Sequence, residues 1–169
     1  MILSNPSSQR LGTLHPNLRM VVESAASKIW ETLEQEYSED LEKAQAAVDR
    51  AEAKGQVARV IVNPPTEAFE IIHADDHGRH EQVQIGDEFY ALAVDIAPRA
   101  GFGPGVEDWE AEGYSDDDEQ HMRRIVKAML DASKSLNIPI SYGGDFREDG
   151  KKQRPRNWRS PHFELTTKE

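Results

Sequence analysis

Apolar residues recur along the first third of the chain at Leu18, Val22, Ala25, Ile29, Leu33, Tyr37, Leu41, Ala44, Val48 and Ala51. Steps of three and four keep such positions on one face of a helix, close to a heptad. Pro16 suits a first helical position and Gly55 a C-terminal stop. Uninterrupted, this helix would run about 58 Å. Part of it must therefore project, or it breaks near Ser38, which would cap a second helix. Residues 1–13, with Pro6, Ser7, Ser8 and Gly12, read as a loosely held polar arm.

The pattern then shortens. Val57 to Val62 reads as a strand stopped by Asn63-Pro64-Pro65. Residues 66–72 fit a short strand or a helical turn. Residues 73–80 form a polar loop with His73, Asp75, Asp76, His77 and His80. These are metal-ligand types, but no second cluster at helical spacing fixes a geometry, so a solvated loop is expected. Glu88 to Pro98 reads as one buried strand interrupted by a single carboxylate, Asp95. A buried charge needs a cation or hydrogen-bond donors. The glycine-rich connection 99–114 lacks the Gly-Lys-Ser/Thr ending of a phosphate loop. Ser115 followed by three aspartates caps a helix whose buried side is Met122, Ile125, Val126, Met129, Leu130 and Leu136. Ile138 to Tyr142 and Pro161 to Thr166 are further strands, the latter holding His162. Helices and strands in this order, with mostly short connections, predict an α+β domain.

Composition narrows the function classes. At 169 residues the chain can bury a real core. A net charge of −11 argues against general nucleic-acid binding. No apolar run approaches the roughly 20 residues of a membrane helix. The start shows no basic region followed by an apolar one, so no secretory signal is expected. With no cysteine, any metal would be held by His, Asp or Glu. Residues 31–54 carry eight acidic and three basic side chains. They read either as a solvated helix face or as a projecting acidic arm, about residues 31–55, for self-association or docking. Against this, residues 147–159 hold Arg147, Lys151, Lys152, Arg154, Arg156 and Arg159, a basic loop in an acidic protein. Trp109, Tyr142 and Trp158 read as core aromatics rather than a substrate platform.

Five pieces in order carry a resemblance: Leu14-His15-Pro16-Asn17-Leu18, Ala93-Val94-Asp95-Ile96-Ala97-Pro98, Trp109, Ile140-Ser141-Tyr142-Gly143-Gly144-Asp145-Phe146, and Pro161-His162-Phe163-Glu164-Leu165. The series resembles the zinc peptidases of the D-alanyl-D-alanine carboxypeptidase type, closest to the L-alanyl-D-glutamate endopeptidases of phage endolysins. It spans roughly residues 14–165, except the back half of the long helix and the loop around His73 to His80. The resemblance implies a peptidase-like domain over 14–169, with a long helix and a second helix packed on a small antiparallel sheet. It also implies that Asp95 and His162 match the second and third zinc ligands of the family. The first-ligand position, a histidine in the family, is Glu88, and the general-base position is Arg159.

Zinc accepts carboxylate oxygen, so Glu88, Asp95 and His162 are the candidate metal ligands. Arginine cannot take a proton from water, and it sets a positive charge beside a dication. Its guanidinium could instead bridge Glu88 and Asp95. The expectation is a degenerate, non-catalytic member of the family that needs no cofactor. Such a module suits a phage virion or tail, contacting neighbouring or self subunits through the helical arm, or peptidoglycan. The alternative is an active zinc peptidase cutting peptidoglycan stem peptides, with His80, Asp87 or Glu164 as substitute base. Its location would be the virion or the host cytoplasm.

Overall fold

The long helical period survives as one element. The computed structural model describes residues 2–73, 82–102, 108–143 and 161–166. Helix α1 spans Asn5–Leu11 and α2 spans Pro16–Ala53, 38 residues or about 57 Å, with no break at Ser38. His15 caps α2 by accepting from the Asn17 amide, and Gly55, at φ 72°, follows its end. Strands β1 (Glu70–His73), β2 (Gln82–Ile85), β3 (Glu88–Ala91) and β4 (Ala93–Ala97) precede α3 (Asp116–Leu136). Strands β5 (Ile140–Tyr142) and β6 (His162–Leu165) complete the α+β order.

The main sheet is antiparallel with strand order β1-β4-β6-β5; β2 and β3 form a separate two-stranded hairpin. One face of the main sheet supplies Ile71, Val94, Ile96 and Phe163 to the core. Leu18, Val22, Ala25 and Ile29 of α2 and Met122, Ile125 and Met129 of α3 meet them there. Each fully buried Val, Leu, Ile, Met or Phe among them contributes about 1.5–3 kcal/mol. The buried residues of α2 all lie between Leu18 and Ile29, so its second half adds none to that core. On the other side a smaller cluster gathers Ala97, Phe102, Trp109 and Tyr114 against Ile72. Arg99 covers the Phe102 ring at 4.6 Å and grips both oxygens of Asp118 at 3.1 Å, tying this cluster to the start of α3. Ser115 and Asp118 form the capping box expected there.

Four expectations are corrected. Residues 1–13 are no loose arm: they carry α1, and Leu3, Ser7 and Leu11 are buried. Ile71 N donates to Ser7 Oγ at 3.0 Å, Arg10 Nη1 donates to the Ile71 carbonyl at 2.7 Å, and Ala68 N donates to the Ile2 carbonyl. These long-range bonds stabilise a helix too short to persist alone. Val57 to Val62 is not a strand, because no neighbouring strand pairs with it among the described residues; Val57, Val60 and Ile61 are exposed. The run Glu88 to Pro98 is two strands broken at Leu92, since Ala91 bonds to Thr13 and His15 while β4 pairs with β1 and β6. Leu130, placed on the buried side of its helix, is 43% exposed.

Candidate functional site

Strand β4 is buried along its whole length, which brings Asp95 inside at 2% exposure. Alternation sends Val94 and Ile96 to the core face and leaves Asp95 on the opposite face. On β6 the same alternation puts Phe163 in the core and His162 and Glu164 on the Asp95 face. Asp95 and His162 are direct register partners, and His162 Nδ1 lies 3.0 Å from Asp95 Oδ1. The neighbouring backbone holds them: Ile96 N donates to the Pro161 carbonyl at 2.8 Å and Gly143 N to the His162 carbonyl at 2.6 Å.

Nε2 of His162 lies 3.5 Å from Glu164 Oε2, so the ring stands between two carboxylates. Burial works against the imidazolium, but Asp95 and then Glu164 outweigh it and hold the pKa above the ordinary histidine value. The pair can bind a cation or hold a proton.

The geometry tests the zinc expectation. Two ligand atoms on a tetrahedral zinc with arms of 2.0–2.2 Å stand roughly 3.3 Å apart. The Asp95–His162 separation of 3.0 Å is shorter than such an edge and is that of a direct hydrogen bond. Glu88 does not join the pair. It sits exposed on β3, in the other sheet, where Tyr90 Oη donates to its Oε2 at 2.8 Å. Among the described residues no group of three His, Asp or Glu side chains is gathered to hold a metal ion. Arg159, with its expected bridge to Glu88 and Asp95, lies outside the described residues. So do Trp158, the rest of the 147–159 basic loop, and Asp75, Asp76, His77 and His80.

Trp109 and Tyr142 belong to packing: Trp109 is 7% exposed within the aromatic cluster, and Tyr142 packs on Phe163 at 5.0 Å. One residue was misplaced by sequence reasoning. The sequence places His73 in a polar loop, yet it is the last residue of β1, in register with Asp95. Its only signal was an imidazole directly after the apolar pair Ile71-Ile72.

Compared with known proteins, the chain matches no family model, no curated protein and no solved structure. What fold and site define is an α+β protein with a buried carboxylate–imidazole pair across two central strands. No helix among the described residues is long and apolar enough to cross a membrane.

Proposed function

We propose that this chain is a non-catalytic module on a peptidoglycan-peptidase-like fold, serving in binding or assembly, with a phage virion or tail as its setting. The observation that carries this reading is the separation of Glu88, at the first-ligand position, from Asp95 and His162. Asp95 and His162 meet at 3.0 Å, whereas Glu88 belongs to a different sheet and is engaged by Tyr90. The base position holds Arg159, which cannot activate water. A cation or proton can be held by the pair, but nothing at the matching position removes a proton from a nucleophile.

The arm supports an assembly role. The second half of α2 carries the acidic residues Glu36, Glu39, Asp40, Glu42, Asp49 and Glu52. It exposes Leu41, and the following segment exposes Val57, Val60 and Ile61. Acidic charge beside exposed aliphatics is the make-up of a docking surface with a basic-rimmed partner. The resemblance and this surface together favour a neighbouring subunit as partner.

The test is digestion of purified peptidoglycan by the intact chain, with and without added zinc and with chelator, alongside sedimentation of the chain with the same material. No release of stem peptides under any condition is expected. Chelator-sensitive release would replace this reading with that of an active zinc peptidase.

A further inference from the structure

We infer that residues 57–62 join two copies of this chain, pairing antiparallel with the same segment of a second copy about a two-fold axis at Val60. This rests on the assembly reading of the helical arm and names its partner.

The segment is held straight by the length of the arm. From Ile29, its last buried residue, α2 runs on to Ala53, about 36 Å. The chain turns back at Gly55, and Gln56 N donates to the Ala51 carbonyl. By Ala68 it is in the core again, buried in the cluster that holds Ile29. Residues 56–67 make the return with no turn or bend. At about 3.3 Å per residue they span about 40 Å, so the segment lies along the arm almost fully extended.

Extension gives it the alternation of a strand. Ala58 and Val62 are half-buried, whereas Val57, Arg59 and Ile61 are exposed. β-Branched side chains stand at 57, 60, 61 and 62. Residues 57–66 nevertheless make no hydrogen bond with the other described residues. An extended aliphatic run with open backbone groups is a template for another strand. Pro64 and Pro65 close that template on its C-terminal side.

Charge selects the occupant and its direction. Residues 31–42 of α2 hold six acidic side chains and no basic one, whereas residues 43–54 hold three basic and two acidic. Val60 lies four residues beyond Gln56, about 13 Å back along the arm, which equals about nine residues of helix. It therefore stands level with the boundary between the two halves. A two-fold axis there sets the wholly acidic half of each arm beside the half of the other that carries Lys43, Arg50 and Lys54. Opposed residues of an antiparallel pair share a face, so both arms lie on one face of the ribbon. Exposed Leu41 is then within a helical turn of the axis in each copy. Centred on Arg59, the pairing would oppose like charges; centred on Val60, it sets Arg59 against Ile61 of the second copy. One patch serves both copies, so the assembly closes at two.

The experiment is sedimentation equilibrium of the intact chain over a dilution series, followed by cysteine cross-linking. Twice the chain mass is expected at concentrations on the order of 100 μM, falling to the single-chain mass on dilution. The chain has no cysteine, so single substitutions report the register. With a thiol oxidant, Val60→Cys should form a covalent dimer at least tenfold faster than Val57→Cys, although Val57 is the more exposed. Opposed residues at the axis lie within disulfide reach, whereas the two copies of residue 57 stand about 20 Å apart. A chain that stays monomeric, Val57→Cys keeping pace with Val60→Cys, or a mass growing past two copies would each overturn the pairing. A monomer that still sediments with peptidoglycan would do so while leaving the module reading intact. Stem-peptide release would overturn the non-catalytic reading and leave the dimer standing.

Discussion

Ser7 and Ile71 are joined across 64 positions of sequence by a buried hydrogen bond, Ile71 N to Ser7 Oγ at 3.0 Å. Ile71 is the last regular pair of β1 before its register shifts, so this hydroxyl steadies the strand end beside β4. Ser7 is fully buried, and removing its oxygen would leave the Ile71 amide without that partner. Ser7→Ala is expected to cost about 1–3 kcal/mol in denaturant unfolding. A loss below a few tenths would show that α1 is dispensable to the sheet.

Asp95 and His162 should behave as one unit. Removing one partner of a buried ion pair leaves the other uncompensated, a cost of about 3 kcal/mol or more. For metal-free protein, Asp95→Ala is expected to cost that much, and His162→Ala less, because the ring is 17% exposed. The double variant should cost clearly less than the sum of the two. Additive losses in a double-mutant cycle would mean that the 3.0 Å contact contributes nothing.

A carboxyl outside this site sets part of the pH dependence. Burial, then a hydrogen bond and charge repulsion from Glu67, push the Glu70 pKa up to about 7, against the pull of Arg10. In the unfolded chain Glu70 loses its proton near 4.5, so between 4.5 and 7 the folded state holds the extra proton. Stability then falls as pH rises through that window and levels off above it. Glu70→Gln should abolish this component and gain on the order of 1 kcal/mol at pH 8 relative to the parent chain. Denaturation midpoints from pH 4 to 8 read both chains; parallel curves would refute the assignment.

His121 has the opposite sign. Its ring is buried with Nε2 on the Ala68 carbonyl at 2.7 Å, and burial holds its pKa below the ordinary histidine value. The stability it supports is present above about pH 6.5 and lost as pH falls through the folded pKa. His121→Gln should reduce the acid-side decline. An unchanged slope below pH 6.5 would show that other groups cause it.

The arm segment offers a separation of stability from association. Val60 and Ile61 are 48% and 74% exposed, so Val60→Ser with Ile61→Ser should change stability by less than about 0.5 kcal/mol. If this surface docks a partner subunit, the same double variant should weaken association at least tenfold in sedimentation or pull-down with that partner. Unchanged association would remove the segment from the interface.

Features set by local chemistry were legible in the sequence. The α2 period and the Ser115–Asp118 capping box depend on neighbours three or four residues away, and both occur. Asp95 and His162 stood out because a charge in an apolar run demands a partner, and the structure joins them. What escaped depends on long-range pairing. Helix α1 is held by Ser7 and Arg10 reaching β1. Val57 to Val62 has strand propensity without a strand to pair with, and propensity alone forms no ladder. His73 comes into register with Asp95 only through one extra residue in β1, which no spacing rule within that segment reveals.

The position of β6 has a consequence for biosynthesis. Among the described residues it is the last of six strands in chain order, yet it lies inside the main sheet, between β4 and β5. While the polypeptide leaves the ribosome, β4 and β5 can be present with no strand between them, and β5 has nothing to pair with. The sheet is thus finished from its interior by a late arrival, and until then the flank of β4 bearing Asp95 stays open to solvent and to chaperones.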